Sequence, residues 1–126
     1  MIKRLGIFGG AFDPVHKGHT LSLKFINDLK IIDEVHVIPN FASPHDKNIQ
    51  SSGSHRLKML EMAFNEFENI KINEFELNNK KKSYSYETLN SFKQVYPDRH
   101  FSLIIGQDSL HNFATWKNWE EILSLC

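Results

Sequence analysis

One cysteine, no long apolar run and no excess of either charge: the sequence excludes several classes of protein before any motif is considered. Its single cysteine, Cys126, is the last of 126 residues, so no internal disulfide can form, and a reducing, cytoplasmic compartment is expected. No stretch approaches the roughly 20 apolar residues of a membrane-spanning helix, and MIKRLGIFGG lacks the apolar core of a signal peptide. Fifteen Lys and Arg balance fifteen Asp and Glu with the seven histidines neutral, which gives no support to a nucleic-acid or membrane-surface partner. A phosphate site would have to be a local pocket. Glycine and proline are also scarce, six and four in all, yet three glycines and one proline fall within the eleven residues Gly9 to His19, GGAFDPVHKGH.

The length suits one domain, residues 1–126. KRLGIFG, residues 3–9, is short, apolar and bounded by glycine, as a buried strand is. Gly9 to Gly18 reads as a loop. From His19 to Lys30 the residues Leu21, Phe25 and Leu29 recur at helical spacing, with Ile26 widening the stripe. EVHVIP, Glu34 to Pro39, is a second strand, and Asn40 to Ser54 is a long polar loop of the kind that usually carries function. Leu57, Leu60, Phe64 and Phe67 mark a helix, and IKINEFEL, Ile70 to Leu77, alternates like a strand. Lys80 to Lys82 read as a solvated turn. Ser83 and Ser85 are candidate caps for a helix carrying Leu89, Phe92 and Val95. FSLIIG, Phe101 to Gly106, is a buried strand followed by another helical segment.

Strands and helices therefore alternate, which predicts an α/β fold with a parallel sheet covered on both faces. In such sheets ligands bind beyond the carboxyl ends of the strands, near the reversal of strand order. Gly9 to His19 and Gly106 to Trp116 both follow apolar strands and should open on that edge.

The spacing in GIFGGAFD does not match the dinucleotide fingerprint G-x-G-x-x-G. A glycine turn running into a helix N-terminus is a general anion site of backbone N–H groups and helix dipole. His16 and His19 would stand near that positive end, where imidazoles donate hydrogen bonds to phosphate oxygens and oppose charge arising in a transition state. Taken alone, such histidines are more often surface or core residues than catalysts, and a zinc site finds no nearby cysteines.

The run Gly10-Ala11-Phe12-Asp13-Pro14-Val15-His16-Lys17-Gly18-His19 resembles the signature G-x-F-D-P-x-H-x-G-H of the nucleotidyltransferase superfamily. Three further stretches, SPHDK with HRLKML, SYSYETL, and GQDSLHNFATWKNWEEIL, are similar to bacterial nicotinate-nucleotide adenylyltransferases. The resemblance implies a Rossmann-like doubly wound sheet and adenylyl transfer from ATP to nicotinate mononucleotide, giving deamido-NAD and pyrophosphate, with Mg²⁺ travelling on the ATP phosphates.

It also implies roles for matching residues. His16 and His19 are the catalytic pair. Gly9, Gly10, Phe12, Gly106 and Asp108 join them in holding ATP. His45, Lys47, Tyr84, Ser85 and Trp116 face the acceptor. Against these stand simpler readings: Asp108 as a helix cap, Tyr84 as packing, Trp116 as core. Lys117 stands where relatives often have a second aromatic. Phosphopantetheine adenylyltransferases and cytidylyltransferases are the rivals within the superfamily, and a nucleotide-binding fragment without turnover is the rival outside it. The family's sequence continues past the helix that ends near Cys126, so the fold is expected to be incomplete at its C-terminus. An unpaired strand edge would then favour a homodimer and low activity.

Overall fold

The computed structural model describes residues 3–41, 52–79 and 83–126. Four strands, β1 (Arg4–Gly10), β2 (Glu34–Pro39), β3 (Ile70–Ile72) and β4 (His100–Ile104), form one parallel sheet in the order β3-β2-β1-β4. The helices are α1 (Lys17–Leu29), α2 (Gly53–Ala63), α3 (Phe75–Asn79), α4 (Ser85–Val95), α5 (Gln107–His111) and α6 (Trp119–Leu125), with a 3₁₀ turn at Phe113–Thr115.

The two-residue period of the strands divides the core. Val35 and Val37 face α1 and α2, where they pack with Leu23, Leu60 and Phe64. Leu5, Ile7 and Ile38 point to the other side and pack with Leu89, Phe92, Phe101 and Ile122 from β4, α4 and α6. Each fully buried Leu, Ile or Phe contributes about 1.5–3 kcal/mol relative to exposure, so both faces of the sheet are strongly held.

Three expectations change. The strand expected over Ile70 to Leu77 stops at Ile72, because Asn73 turns the chain: its Oδ1 accepts from Phe75 N–H (2.9 Å) and α3 follows. In α1 the row Leu21, Phe25 and Leu29 faces solvent, 62%, 65% and 49% exposed, while Leu23 and Ile26 meet the core. Asn27 fixes that rotation by exchanging 2.9 Å hydrogen bonds with Asn69. Ser83 and Ser85 do not cap α4; Tyr84 is its N-cap, and Glu87 Oε1 accepts from Tyr84 N–H (3.2 Å). Val95, on the far side of that helix, is exposed.

The order of strands matters for function. The chain moves from β1 to β2 to β3 on one side and then crosses to place β4 against β1. The reversal lies between β1 and β4, and their carboxyl ends, Gly10 and Ile104, frame the crevice where α/β sheets hold ligands.

Candidate active site

The turn after β1 is held in a conformation that its sequence would not adopt freely. Phe12 has φ 48°, the left-handed region. The Phe12 ring is 4% exposed and packs edge-on to Phe8 (5.4 Å) and His19 (5.0 Å). A side chain on Gly10 would press on that ring, at 3.3 Å from Phe12 Cζ. Across the turn, Arg56 of α2 is 2% exposed and its Nη1 donates to Ala11 O at 2.8 Å. Burial lowers the Arg56 pKa and the charge of Asp13 opposes this, so a cation is sealed beneath the loop.

The two histidines begin α1. His16 is its N-cap: Gly18 N–H donates to His16 Nδ1 (3.0 Å), and His16 N–H donates to His19 Nδ1 (3.1 Å). This is a capping box built from imidazoles in place of Ser and Glu. The rings stack with centroids 3.8 Å apart. An imidazole nitrogen that accepts from a backbone N–H carries no proton, so in each neutral ring the hydrogen sits on Nε2. Both rings therefore offer an Nε2–H donor beside a helix N-terminus.

Gly18 is required by this arrangement. A Cβ there would lie 2.8 Å from His16 Cε1 and 2.9 Å from His16 Nδ1, and the cap would be pushed off its backbone donor. The glycine between the histidines leaves room for the His16 ring in its capping position. Burial first, and the nearby His16 second, lower the pKa of His19 below its ordinary 6.5. His19 thus stays neutral in the fold at neutral pH. The hydrogen bond it accepts is lost only as pH falls below 6.5 through the folded value, because protonation places a hydrogen on Nδ1.

A cavity opens at the β1/β4 crevice. Gly9 and Gly10 of β1, Ile38 and Asn40 at the end of β2, and Leu103 to Ile105 at the end of β4 form its base. Ser83, Ser85, Thr88 and Trp116 form its walls, with Glu76 reaching in from α3. Two buried oxygens here, Asn40 Oδ1 and Ser83 Oγ, have no hydrogen-bond partner among the described residues. Unpaired buried polar atoms are costly and usually await a ligand or water. Trp116 is half-buried and rests on Phe113 (5.1 Å).

Of the residues nominated from sequence, Gly9, Gly10, Ser85 and Trp116 line this cavity. His16 and His19 are not among its lining residues; they begin α1, which the turn after Gly10 joins to β1. The Phe12 side chain belongs to the core, which leaves only its backbone for a nucleotide. Tyr84 is half-buried and covered by Lys117, whose Nζ lies 4.8 Å from the ring centre. Gly106 is the N-cap of α5, and a Cβ there would meet nothing within 4 Å. Asp108 is exposed in the first turn of α5, so it is not that helix's cap. His45 and Lys47 lie outside the described residues. Sequence reasoning did not nominate Arg56, Glu76, Asn40 or Thr88. A signal existed for Arg56, which precedes Leu60 and Phe64 by one and two helical turns and so falls on the buried face of α2.

Residues 7–126 match the model of the cytidylyltransferase-like family. A Leptospira interrogans protein named probable nicotinate-nucleotide adenylyltransferase is 42% identical over 121 residues, 94% of this chain and 61% of that protein. A like-named protein of Oceanobacillus iheyensis is 34% identical over 124 residues, 98% of this chain and 65% of that one. The chain thus spans less than two thirds of the length of these relatives. Among solved structures, the Plasmodium falciparum nicotinic acid mononucleotide adenylyltransferase complexed with NaAD superposes with a TM-score of 0.81 at 27% identity, covering 95% of this chain and 60% of that one.

Proposed function

Because the chain belongs to the cytidylyltransferase-like family, we propose that it transfers the adenylyl group of ATP to nicotinate mononucleotide, forming deamido-NAD and releasing pyrophosphate. The observation that carries this reading is the pair of Nε2–H donors, fixed by backbone hydrogen bonds at the start of α1, on the helix that follows the cavity-lining Gly9 and Gly10 of β1. An oxygen of the acceptor phosphate attacks the α-phosphorus, the bond to pyrophosphate breaks, and no proton need move. The work of the protein is alignment and charge stabilisation. His16 and His19 meet the triphosphate, the backbone of Gly9 to Phe12 admits it, and Gly106 and Asp108 take the adenosine. Tyr84, Ser85 and Trp116 receive the pyridine ring, and His45 and Lys47 the acceptor phosphate.

Mg²⁺ enters with ATP in this reading. Imidazole N–H groups suit phosphate oxygens rather than a cation, and the described residues contain no cluster of three His, Cys, Asp or Glu side chains placed for a metal. The ion is then held by phosphate oxygens and water, and it would neutralise charge on the leaving pyrophosphate. A cytoplasmic setting belongs to the same proposal; among the described residues no helix is long and apolar enough to cross a membrane.

Replacing Trp116 tests the division of the site. Trp116→Ala is expected to weaken nicotinate mononucleotide about tenfold and ATP by less than about twofold, since a base-stacking aromatic is worth roughly 1–3 kcal/mol. Calorimetric titration of each ligand reads both, and a loss confined to ATP would place the substrates at opposite ends. Two copies are also proposed to associate through the exposed row Leu21, Phe25 and Leu29 of α1. Light scattering should then show a dimer that Phe25→Glu shifts to monomer, and a monomer at all concentrations would remove that part of the proposal.

A further inference from the structure

Glu76 is the only carboxyl group among the described residues that line the cavity. It is 7% exposed, on a helix of five residues. So short a helix does not persist without anchors. The anchor is Thr88, a residue 2% exposed, whose Oγ1 donates to Glu76 Oε2 at 2.7 Å. Burial raises the Glu76 carboxyl to about 7, with the Thr88 hydrogen bond lowering it and the charge of Glu87 adding to the rise. An acidic group kept at such a site is disfavoured by solvation, and packing alone would be served better by Leu.

Thr88 lies in the first turn of α4, three residues after Ser85. That turn presents Ser83 and Ser85 to the cavity. Two carboxyl groups support it from outside the helix ladder: Glu87 at the Tyr84 N–H and Glu76 at Thr88. We propose that Glu76 is a positioning residue for the acceptor end of the cavity, holding the first turn of α4, and with it Ser83 and Ser85, in place through Thr88. The word acceptor rests on the function proposed above; the mechanical role does not.

The experiment uses the full 126-residue chain with Glu76→Ala, Glu76→Gln, Thr88→Val and the Ala/Val double substitution. Amide hydrogen exchange at residues 85–89 is measured without ligand, and nicotinate mononucleotide and ATP are titrated by calorimetry. Loss of one buried hydrogen bond should speed exchange at residues 85–89 about tenfold in Glu76→Ala and in Thr88→Val, with the double substitution no faster. The same variants should bind nicotinate mononucleotide about tenfold more weakly and ATP within about twofold of the parent. Glu76→Gln, whose amide oxygen still accepts from Thr88, should restore both. The inference is overturned if Gln is as disturbed as Ala, if exchange rises evenly over the sheet, or if both ligands weaken alike. Should the parent chain fail to bind nicotinate mononucleotide, the functional reading falls, and the exchange pattern still decides the role of Glu76.

Discussion

Replacing His19 by Ala should lower the turnover number for pyrophosphate release by roughly 10²–10³ relative to the unsubstituted chain, the usual loss on removing one preorganised donor. The control, His19→Gln, follows from the structure. His19 occupies the third position of α1 and its Nδ1 accepts from His16 N–H; Gln is the ordinary residue for that task in a capping box. His19→Gln therefore retains the helix start and, in its amide N–H₂, a donor, so it should recover stability and part of the turnover. His19→Ala removes both and should in addition lose about 0.5–2 kcal/mol of stability, the range for a lost cap. Denaturant midpoints and steady-state rates, measured on the same two variants, separate the roles. If His19→Ala keeps normal turnover, the imidazole is only a cap. If ATP affinity falls as far as turnover, the histidine binds the ground state and the transition state equally.

Arg56→Ala is the second substitution with a large expected effect, and it acts on stability. Its Nη1 bond to Ala11 O joins α2 to the turn after β1, and hydrogen bonds to charged groups contribute about 1.5–3 kcal/mol. The change also empties the space of one of the largest fully buried side chains, adding a cavity term. A total of about 3–5 kcal/mol is expected, read as a lower urea midpoint with an unchanged slope. Arg56→Met, which keeps most of the volume, should recover part of that loss and leave the Ala11 carbonyl without its donor. A loss below about 0.5 kcal/mol for Arg56→Ala, the level of an ordinary surface substitution, would mean that the turn is held by other means.

The parallel sheet and the glycine- and proline-bearing turn after β1 were legible because strand apolarity, glycine and proline are local signals. What the sequence hid was which side chains bond to one another, some close in the chain and some far apart. The row Leu21, Phe25, Leu29 is as apolar as any stripe that docks, and only the Asn27–Asn69 pair shows which face of α1 turns inward. Alternation over IKINEFEL suggested one strand through Leu77; the side chain of Asn73 ends it by accepting from Phe75 N–H. Glu76 falls inside that expected strand, whereas in the structure it belongs to α3 and lines the cavity. From sequence the histidines read as phosphate donors alone. That their Nδ1 atoms cap α1, and that Gly18 is small for the sake of the His16 ring, appears only in three dimensions, since imidazole is not an expected cap.

The most direct test of the account is pyrophosphate release with ATP, Mg²⁺ and each of three acceptors: nicotinate mononucleotide, nicotinamide mononucleotide and phosphopantetheine. A cavity with Trp116 on one wall and the start of α4 bearing Ser83 and Ser85 on another suits a flat ring carrying a small anion. The account predicts that release is fastest with nicotinate mononucleotide and that the product is deamido-NAD. Equal or faster release with phosphopantetheine would contradict it.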